Sequence, residues 1–148
     1  MAFVVPAWVR HAVFYQIFPD RFARSTCNDS HNYNLEEWDT LPTHHGYKGG
    51  TLRGPRDRLD YLQDFGINAL YLNPIFQSST NHRYHTCDYF QVDPLLGGNA
   101  AFDNLLAAAH GKGMRVILDG VFNHVGRCFF PFNDLIENGP ASAWGHWF

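Results

Sequence analysis

The chain has few of the features that mark nucleic-acid-binding, secreted or membrane proteins. Only two of its 148 residues are lysine, and the nine arginines are scattered along the sequence. No basic run is present to neutralise phosphates, so the sequence favours no nucleic-acid partner. Residues 1–9 are apolar, but Pro6 interrupts them and no basic region precedes them, so they fit neither a signal peptide nor a membrane span.

Cysteine is also scarce. Cys27, Cys87 and Cys128 are odd in number and far apart, and none belongs to a Cys-x-x-Cys pair or a metal-type spacing. This pattern is typical of free thiols in a reducing compartment, and it predicts a cytoplasmic protein.

Motifs that bind nucleotides are missing as well. No Gly-x-Gly-x-x-Gly or Gly-x-x-x-x-Gly-Lys follows the first predicted strand, where a phosphate site would need them. A small doubly wound nucleotide-binding protein is therefore an alternative that rests only on the weak segment 97–99.

The elements that are present alternate between strand and helix. Apolar and β-branched runs predict strands at 12–18, at 67–73 and from Arg115 onward, and helical spacing predicts helices at 55–65 and 99–110. Such alternation is typical of an α/β fold with a parallel sheet and right-handed crossovers.

The sequence also predicts which residues the first helix buries, where the second helix is capped, and where the long loops lie. Leu59, Leu62 and Phe65 are predicted to form the buried face of the first helix, and Asn99 is predicted to cap the second. Long polar loops are predicted at 23–50 and 77–98, and no third helix is expected after the last strand.

Polar residues follow the third predicted strand. Val116, Ile117 and Leu118 form an apolar run that suits a strand covered on both faces, and Asp119 and then His124 come after it. Because ligands of parallel α/β proteins bind at the carboxyl ends of strands, these side chains are candidate binding residues. The alternative is that Asp119 and Asn123 only shape a turn and that His124 is an ordinary surface residue.

The loop after the second strand is rich in hydrogen-bonding groups. Residues 79–89 hold two tyrosines among histidine, amide and carboxylate side chains, a composition that suits a neutral sugar. His82 and His85 could instead bind a metal, but no third ligand of convincing spacing accompanies them.

Three segments resemble the α-amylase family of retaining glycoside hydrolases. They are Val-Phe-Tyr-Gln-Ile-Phe-Pro-Asp-Arg-Phe at 13–22, Asn-His-Arg-Tyr at 81–84 with Asp88-Tyr89, and Asp-Gly-Val-Phe-Asn-His at 119–124. Phe-Pro-Phe-Asn-Asp at 130–134 is similar to the branch that contains cyclomaltodextrinase, neopullulanase and maltogenic amylase.

The resemblance implies a partial (β/α)8 TIM barrel. The chain would supply strands one to three with two helices, after a lead-in at 1–11, and residues 125–148 would begin the small domain inserted after strand three.

The resemblance also implies roles for four substrate-binding residues. Tyr84 would stack under the sugar ring with His82 beside it, His124 would bind the sugar's hydroxyl groups, and Asp119 would help to orient the catalytic centre. His85 stands where this branch usually has aspartate, so the hydrogen bonding behind Tyr84 is expected to differ.

Calcium is implied for the parent enzyme only. Asn123 matches a calcium-binding position of many α-amylases, but Thr51 stands where relatives often have aspartate or asparagine. A hydroxyl is a poorer ligand for a hard cation than a carboxylate, so no metal residue is predicted.

The catalytic carboxylates are expected elsewhere. A retaining glycosidase needs two carboxyl groups about 5 Å apart, and in this family both come from later strands, downstream of Phe148. We therefore expect the chain to be the N-terminal part of an enzyme that cleaves α-1,4 or α-1,6 linked maltooligosaccharides or cyclodextrins. A homodimer is one option for that parent enzyme. We expect no activity from this chain alone. The alternative is a truncated, non-catalytic module that binds carbohydrate or another partner.

Overall fold

A computed structural model describes residues 3–25 and 34–148 of the chain. Strands alternate with helices along most of this length, as the sequence predicts. In order, the elements are a 3-10 turn at Ala7–His11, β1 (Phe14–Ile17), α1 (Pro19–Phe22), α2 (Arg53–Asp57), α3 (Leu59–Asp64), β2 (Ala69–Leu72), β3 (Phe76–Ser78), β4 (Thr86–Val92), a 3-10 turn at Pro94–Leu96, α4 (Gly98–Gly111), β5 (Arg115–Leu118), α5 (Phe130–Asn138) and a 3-10 turn at Gly139–Ala141.

The three predicted strands form one parallel sheet. Its order is β1-β2-β5, and the register aligns Ile17 with Leu72 and Leu72 with Leu118. The carboxyl ends of all three strands therefore lie level with one another at one edge of the sheet.

Helices cover one face of this sheet. Ile17, Leu70 and Leu72 are buried there in a core that includes Leu62 of α3 and Leu105 of α4. These five side chains come from strands and helices that are adjacent along the chain, so the core is built from successive strand–helix units.

The opposite face of the sheet is covered less completely. Phe14 and Gln16 are exposed there, and Ile117 of β5 is only half-buried. The expectation that the third strand is covered on both faces is therefore wrong within the described chain. The physical reason is that Val116 and Leu118 pack against the helices, whereas Ile117 lies on the other face beside Gln16 and Tyr71.

The predicted first helix is broken in two. Arg58, whose φ is -111°, separates α2 from α3, and α2 already begins at Arg53. Leu59 and Leu62 are buried as predicted, but Phe65 is 66% exposed. Phe65 follows the end of α3 and stacks on the exposed ring of Tyr61, with 6.2 Å between the ring centroids.

The predicted loop 77–98 contains regular structure. β3 and β4 pair as an antiparallel hairpin with an irregular register. Asn99 does not cap α4, because Gly97 holds that position. The Asn99 side chain instead accepts a hydrogen bond from the backbone N–H of Val92 (2.7 Å), which joins the end of the hairpin to the start of the helix.

A further helix follows the third strand, so the expectation of no third helix there is wrong. α5 begins with Phe130 and Pro131, and proline is tolerated in a first helical turn because its missing N–H is not needed there. Within the described ranges, no helix is long and apolar enough to cross a bilayer.

Candidate functional site

The candidate site lies at the edge of the sheet where the three parallel strands end. Gln16 Nε2 donates to Asn73 Oδ1 across the ends of β1 and β2 (2.8 Å), and the backbone N–H of Asp119 donates to the carbonyl of Leu72 (3.0 Å). These bonds fix the position at which the chain leaves β5, so Asp119 stands at this edge.

Asp119 is joined to Tyr84. The Tyr84 hydroxyl donates to Asp119 Oδ2 (3.1 Å), and Asp119 Oδ1 accepts from the backbone N–H of Val121 (3.2 Å). Burial, followed by the hydrogen bond and negative charge of Asp119, raises the pKa of Tyr84. The phenol therefore keeps its proton and acts as a donor to the carboxylate.

His124 is joined to the same tyrosine from a second direction. Its Nε2 lies 2.9 Å from the backbone oxygen of Tyr84, and its Nδ1 lies 3.3 Å from Asn123 Nδ2. Because a carbonyl oxygen can only accept, Nε2 carries the proton. Asp119 and His124, which follow β5, thus both contact Tyr84, which precedes β4.

His82 supports the backbone of Tyr84. Its Nδ1 accepts from the Tyr84 N–H (3.1 Å), and its ring centroid lies 5.9 Å from that of Tyr84. Burial, followed by the positive charges of His85, Arg21 and Arg83, lowers the pKa of His82. A neutral His82 with its proton on Nε2 can donate to a ligand hydroxyl.

The comparisons with known proteins identify the family of the chain. The α-amylase catalytic domain profile matches residues 16–148. The chain belongs to the α-amylase family. The predicted fold class, part of a (β/α)8 barrel with three parallel strands, is confirmed by this membership and by the parallel sheet.

Similar members of the α-amylase family include the expected branch. The chain is 45% identical over 146 residues to a cyclomaltodextrinase from a Bacillus species, covering 99% of this chain and 26% of the relative. Neopullulanase 2 of Thermoactinomyces vulgaris is 44% identical over 149 residues, covering 99% and 25%. This chain therefore spans about a quarter of the length of the curated relatives it matches.

A solved structure of similar sequence has a similar fold over the whole of this chain. A debranching enzyme from Nostoc punctiforme is 59% identical with a TM-score of 0.83, and the match covers all of this chain and 31% of that one.

A neighbouring cavity of about 430 Å³ lies between two loops. Four of its lining residues, Ser79, Thr80, Asn81 and His82, belong to the loop that the sequence predicts as a sugar site, and three do not: His44, His45 and Tyr47. Asn81 Nδ2 donates to the carbonyl of Gly46 (2.8 Å), which holds the two loops together. The sequence analysis missed the part played by loop 23–50, where two adjacent histidines are the signal; residues 26–33 of that loop lie outside the described chain.

Arg83 is a second residue that the sequence analysis missed. Its side chain is 1% exposed, and its Nε donates to Asp93 Oδ2 (2.7 Å) while Nη1 donates to the Asn81 carbonyl (2.8 Å). The backbone φ of Arg83 is +63°, a left-handed conformation that costs energy in a non-glycine residue. Arg83 thus anchors the turn that presents His82 and Tyr84.

The structure corrects the interpretation of the cysteines. Cys87 and Cys128 form a disulfide, with their Cα atoms 4.9 Å apart. The expectation of free thiols, from which the cytoplasmic location was inferred, is therefore wrong for these two. Cys27 lies outside the described residues. The pairing spans 41 positions, and sequence spacing alone gives no sign of it.

The calcium site of other α-amylases is not matched here. Among residues 3–25 and 34–148, no three His, Cys, Asp or Glu side chains come together in a way that could hold a metal ion. The exposed Asn123 amide is directed to His124. The described residues therefore present no carboxylate cluster of the kind that binds calcium.

Proposed function

We propose that this chain forms part of the sugar-binding subsite of a retaining α-glucan hydrolase. The substrate would be an α-1,4 or α-1,6 linked maltooligosaccharide or a cyclodextrin, and the relatives named cyclomaltodextrinase and neopullulanase support that class. In this proposal residues 1–11 are a lead-in and residues 125–148, with α5, begin an inserted small domain.

One observation carries the proposal. Tyr84 is held through its hydroxyl by Asp119 and lies through its backbone against His124, so an aromatic ring, a carboxylate and an imidazole converge at the ends of β1, β2 and β5. A sugar presents an apolar ring face and polar edges, and this combination of groups complements both.

The chemical step is proposed to need carboxylates outside these 148 residues. Asp119 uses both of its oxygens in hydrogen bonds within the chain, which suits a carboxylate that orients other groups. A nucleophile and a separate acid/base would have to stand about 5 Å apart on either side of the scissile bond. We therefore expect sugar binding by this chain and no hydrolysis.

The proposal is tested by titrating the chain with maltotetraose and β-cyclodextrin in a calorimeter. Tyr84→Ala should weaken binding about two- to tenfold, because an aromatic contact contributes roughly 0.5–1.5 kcal/mol beyond its buried area. Tyr84→Phe keeps the ring and loses the bond to Asp119, so its affinity should lie between the two.

Tyr61→Ala is the matched control, since Tyr61 is an exposed tyrosine of α3 that stacks on Phe65 rather than on the site residues. It should bind as tightly as the unchanged chain. Absence of binding at millimolar sugar, or equal losses for Tyr84→Ala and Tyr61→Ala, would reject the proposed subsite.

The alternative is a non-catalytic carbohydrate-binding module. The same convergence on Tyr84 favours it, because the described contacts serve binding and none requires a reaction. An assay of the protein encoded in the native gene distinguishes the two functions. Release of reducing ends from maltotetraose would support the hydrolase, and binding of the sugar without release would support the module.

A further inference from the structure

The disulfide lies beside the proposed sugar subsite. Cys87 belongs to β4, three residues after Tyr84, and Cys128 follows His124 by four residues in the loop after β5. The covalent bond therefore joins the two segments from which the converging side chains come.

Non-covalent contacts also join these segments, among them the Tyr84–Asp119 hydrogen bond and the contacts of the Tyr89 ring with Phe122 and Phe129. Gly126 N–H donates to the Thr86 carbonyl (2.9 Å), His124 Nε2 lies against the Tyr84 carbonyl, and the Tyr89 hydroxyl donates to the Val121 carbonyl (2.7 Å). Each such bond contributes only about 0.5–1.5 kcal/mol net. A covalent link across the same gap therefore restricts the segments more than any one of these bonds does.

The packing at the link is close. Both sulfur atoms lie within 3.9 Å of the carbonyl oxygen of His85, and a Cβ at Gly126 would come within 2.7 Å of that oxygen. The His85 ring in turn lies 5.2 Å from the His82 ring and 6.3 Å from the His124 ring, centroid to centroid. Movement of the disulfide would therefore displace His85, and through it the neighbouring imidazole rings of His82 and His124.

We propose that the Cys87–Cys128 disulfide is a reversible covalent clamp that positions Tyr84 and His124 for sugar binding, and that a dithiol reductant loosens the subsite by opening it. This inference rests on the proposed sugar-binding function.

The chemistry balances as thiol–disulfide exchange. A thiolate of the dithiol attacks one sulfur, of which Cys128 is the exposed one, and Cys87 leaves as a thiolate that takes a proton. The second thiol of the reductant then displaces Cys128. The chain gains two thiols, and the dithiol becomes a disulfide.

The test uses the protein encoded in the native gene, purified without reductant. Its affinity for maltotetraose is measured before and after treatment with dithiothreitol, from the KM for release of reducing ends or, where none are released, by calorimetry, with thiols counted in both states. Opening the clamp should weaken binding roughly three- to tenfold, because a loosened site must be ordered again on binding. Amide hydrogen exchange at residues 84–86 and 124–128 should become faster.

Two variants assign the effect to this disulfide. The double variant Cys87→Ser with Cys128→Ser should bind the sugar as weakly as the reduced protein, and dithiothreitol should not change its affinity. Dithiothreitol should weaken sugar binding by Cys27→Ser as much as it does for the unchanged protein. If the double variant fails to fold, the unchanged protein in its two redox states still supplies the comparison.

The outcomes separate this inference from the function on which it rests. Alkylation of Cys87 and Cys128 without reductant would overturn the clamp, as would unchanged affinity and exchange after both thiols are released. No sugar binding in the oxidised state would reject the proposed function instead, and the exchange data would still decide whether the disulfide holds the two segments.

Discussion

At the scale of single residues, His82 gives the site a dependence on pH. Burial and the positive charges of His85, Arg21 and Arg83 lower its pKa, so below about pH 6.5 the unfolded chain takes up a proton at His82 more readily than the folded chain does. The free energy of unfolding should therefore fall as the pH drops from about 6.5 toward the lowered pKa.

Replacing His82 by Gln should flatten this fall, as measured by urea unfolding between pH 7.5 and 5. A His82→Gln slope that matches the unchanged protein would contradict the assignment.

Arg83, in the same turn, contributes to the stability of the fold. Its ion pair with Asp93 is buried at both ends, with side-chain exposures of 2% and 6%. Arg83→Met would leave the Asp93 carboxylate buried without its partner, so it should lower the free energy of unfolding by about 3–5 kcal/mol.

Lys112→Met is the control for the Arg83 prediction, because Lys112 pairs with an exposed Asp60. It should cost less than about 1 kcal/mol in the same urea titration, since exposed pairs contribute little. Similar losses for the two variants would show that the Arg83 pair is no more important than a surface pair.

Some of these residues could be predicted and others could not. Asp119 and His124 follow an apolar run, so their place at the end of a strand is visible in the sequence. The roles of Arg83 and the disulfide depend on partners 10 and 41 residues away, which only the folded structure brings together. No local pattern contains that information.

At the scale of elements, the pattern of apolar residues identified the parallel strands and α4 well. It missed the hairpin of β3 and β4, because β3 has only three residues, β4 mixes polar and apolar residues without clean alternation, and their register is irregular. It missed α5, whose opening Phe130-Pro131-Phe132 has the appearance of a loop. It also missed the break at Arg58, which depends on how α2 packs against α1 and α4.

The loop before α2 is held in position where residues 48–50 lie close against the backbone of Pro19 and Asp20. Asp20 of α1 accepts from the N–H groups of Lys48 and Gly49 through its carboxylate and from Gly50 through its carbonyl. A Cβ at Gly50 would overlap the carbonyl oxygen of Pro19 and lie 2.7 Å from that of Asp20.

Gly50→Ala should therefore destabilise the fold by about 1–3 kcal/mol, as overpacking does elsewhere. Gly111→Ala at the end of α4 is the matched control, because its Cβ would meet nothing within 4 Å. It should be neutral or stabilise by up to about 1 kcal/mol, through loss of freedom in the unfolded chain. Thermal unfolding of the two variants compares these effects, and equal melting temperatures would contradict the close approach.

At the scale of the whole molecule, the described sheet has free edges on both sides. β1 and β5 each pair only with β2 in the ranges that the structure describes, and apolar side chains such as Val13 and Phe14 are 50% and 44% exposed beside β1. Unpaired strand edges with apolar neighbours are templates for pairing with another chain.

The 148-residue chain expressed by itself should therefore associate as its concentration rises, which sedimentation velocity between about 5 and 200 μM would detect. Phe14→Lys places a charge on the free edge of β1 and should shift the chain toward monomer. Leu41→Lys removes an exposed leucine that lies outside every strand, and should have a smaller effect. A chain that stays monomeric over the whole range, or responds equally to both substitutions, would mean that the open edge of β1 does not drive association, because Phe14 lies on a strand edge and Leu41 does not.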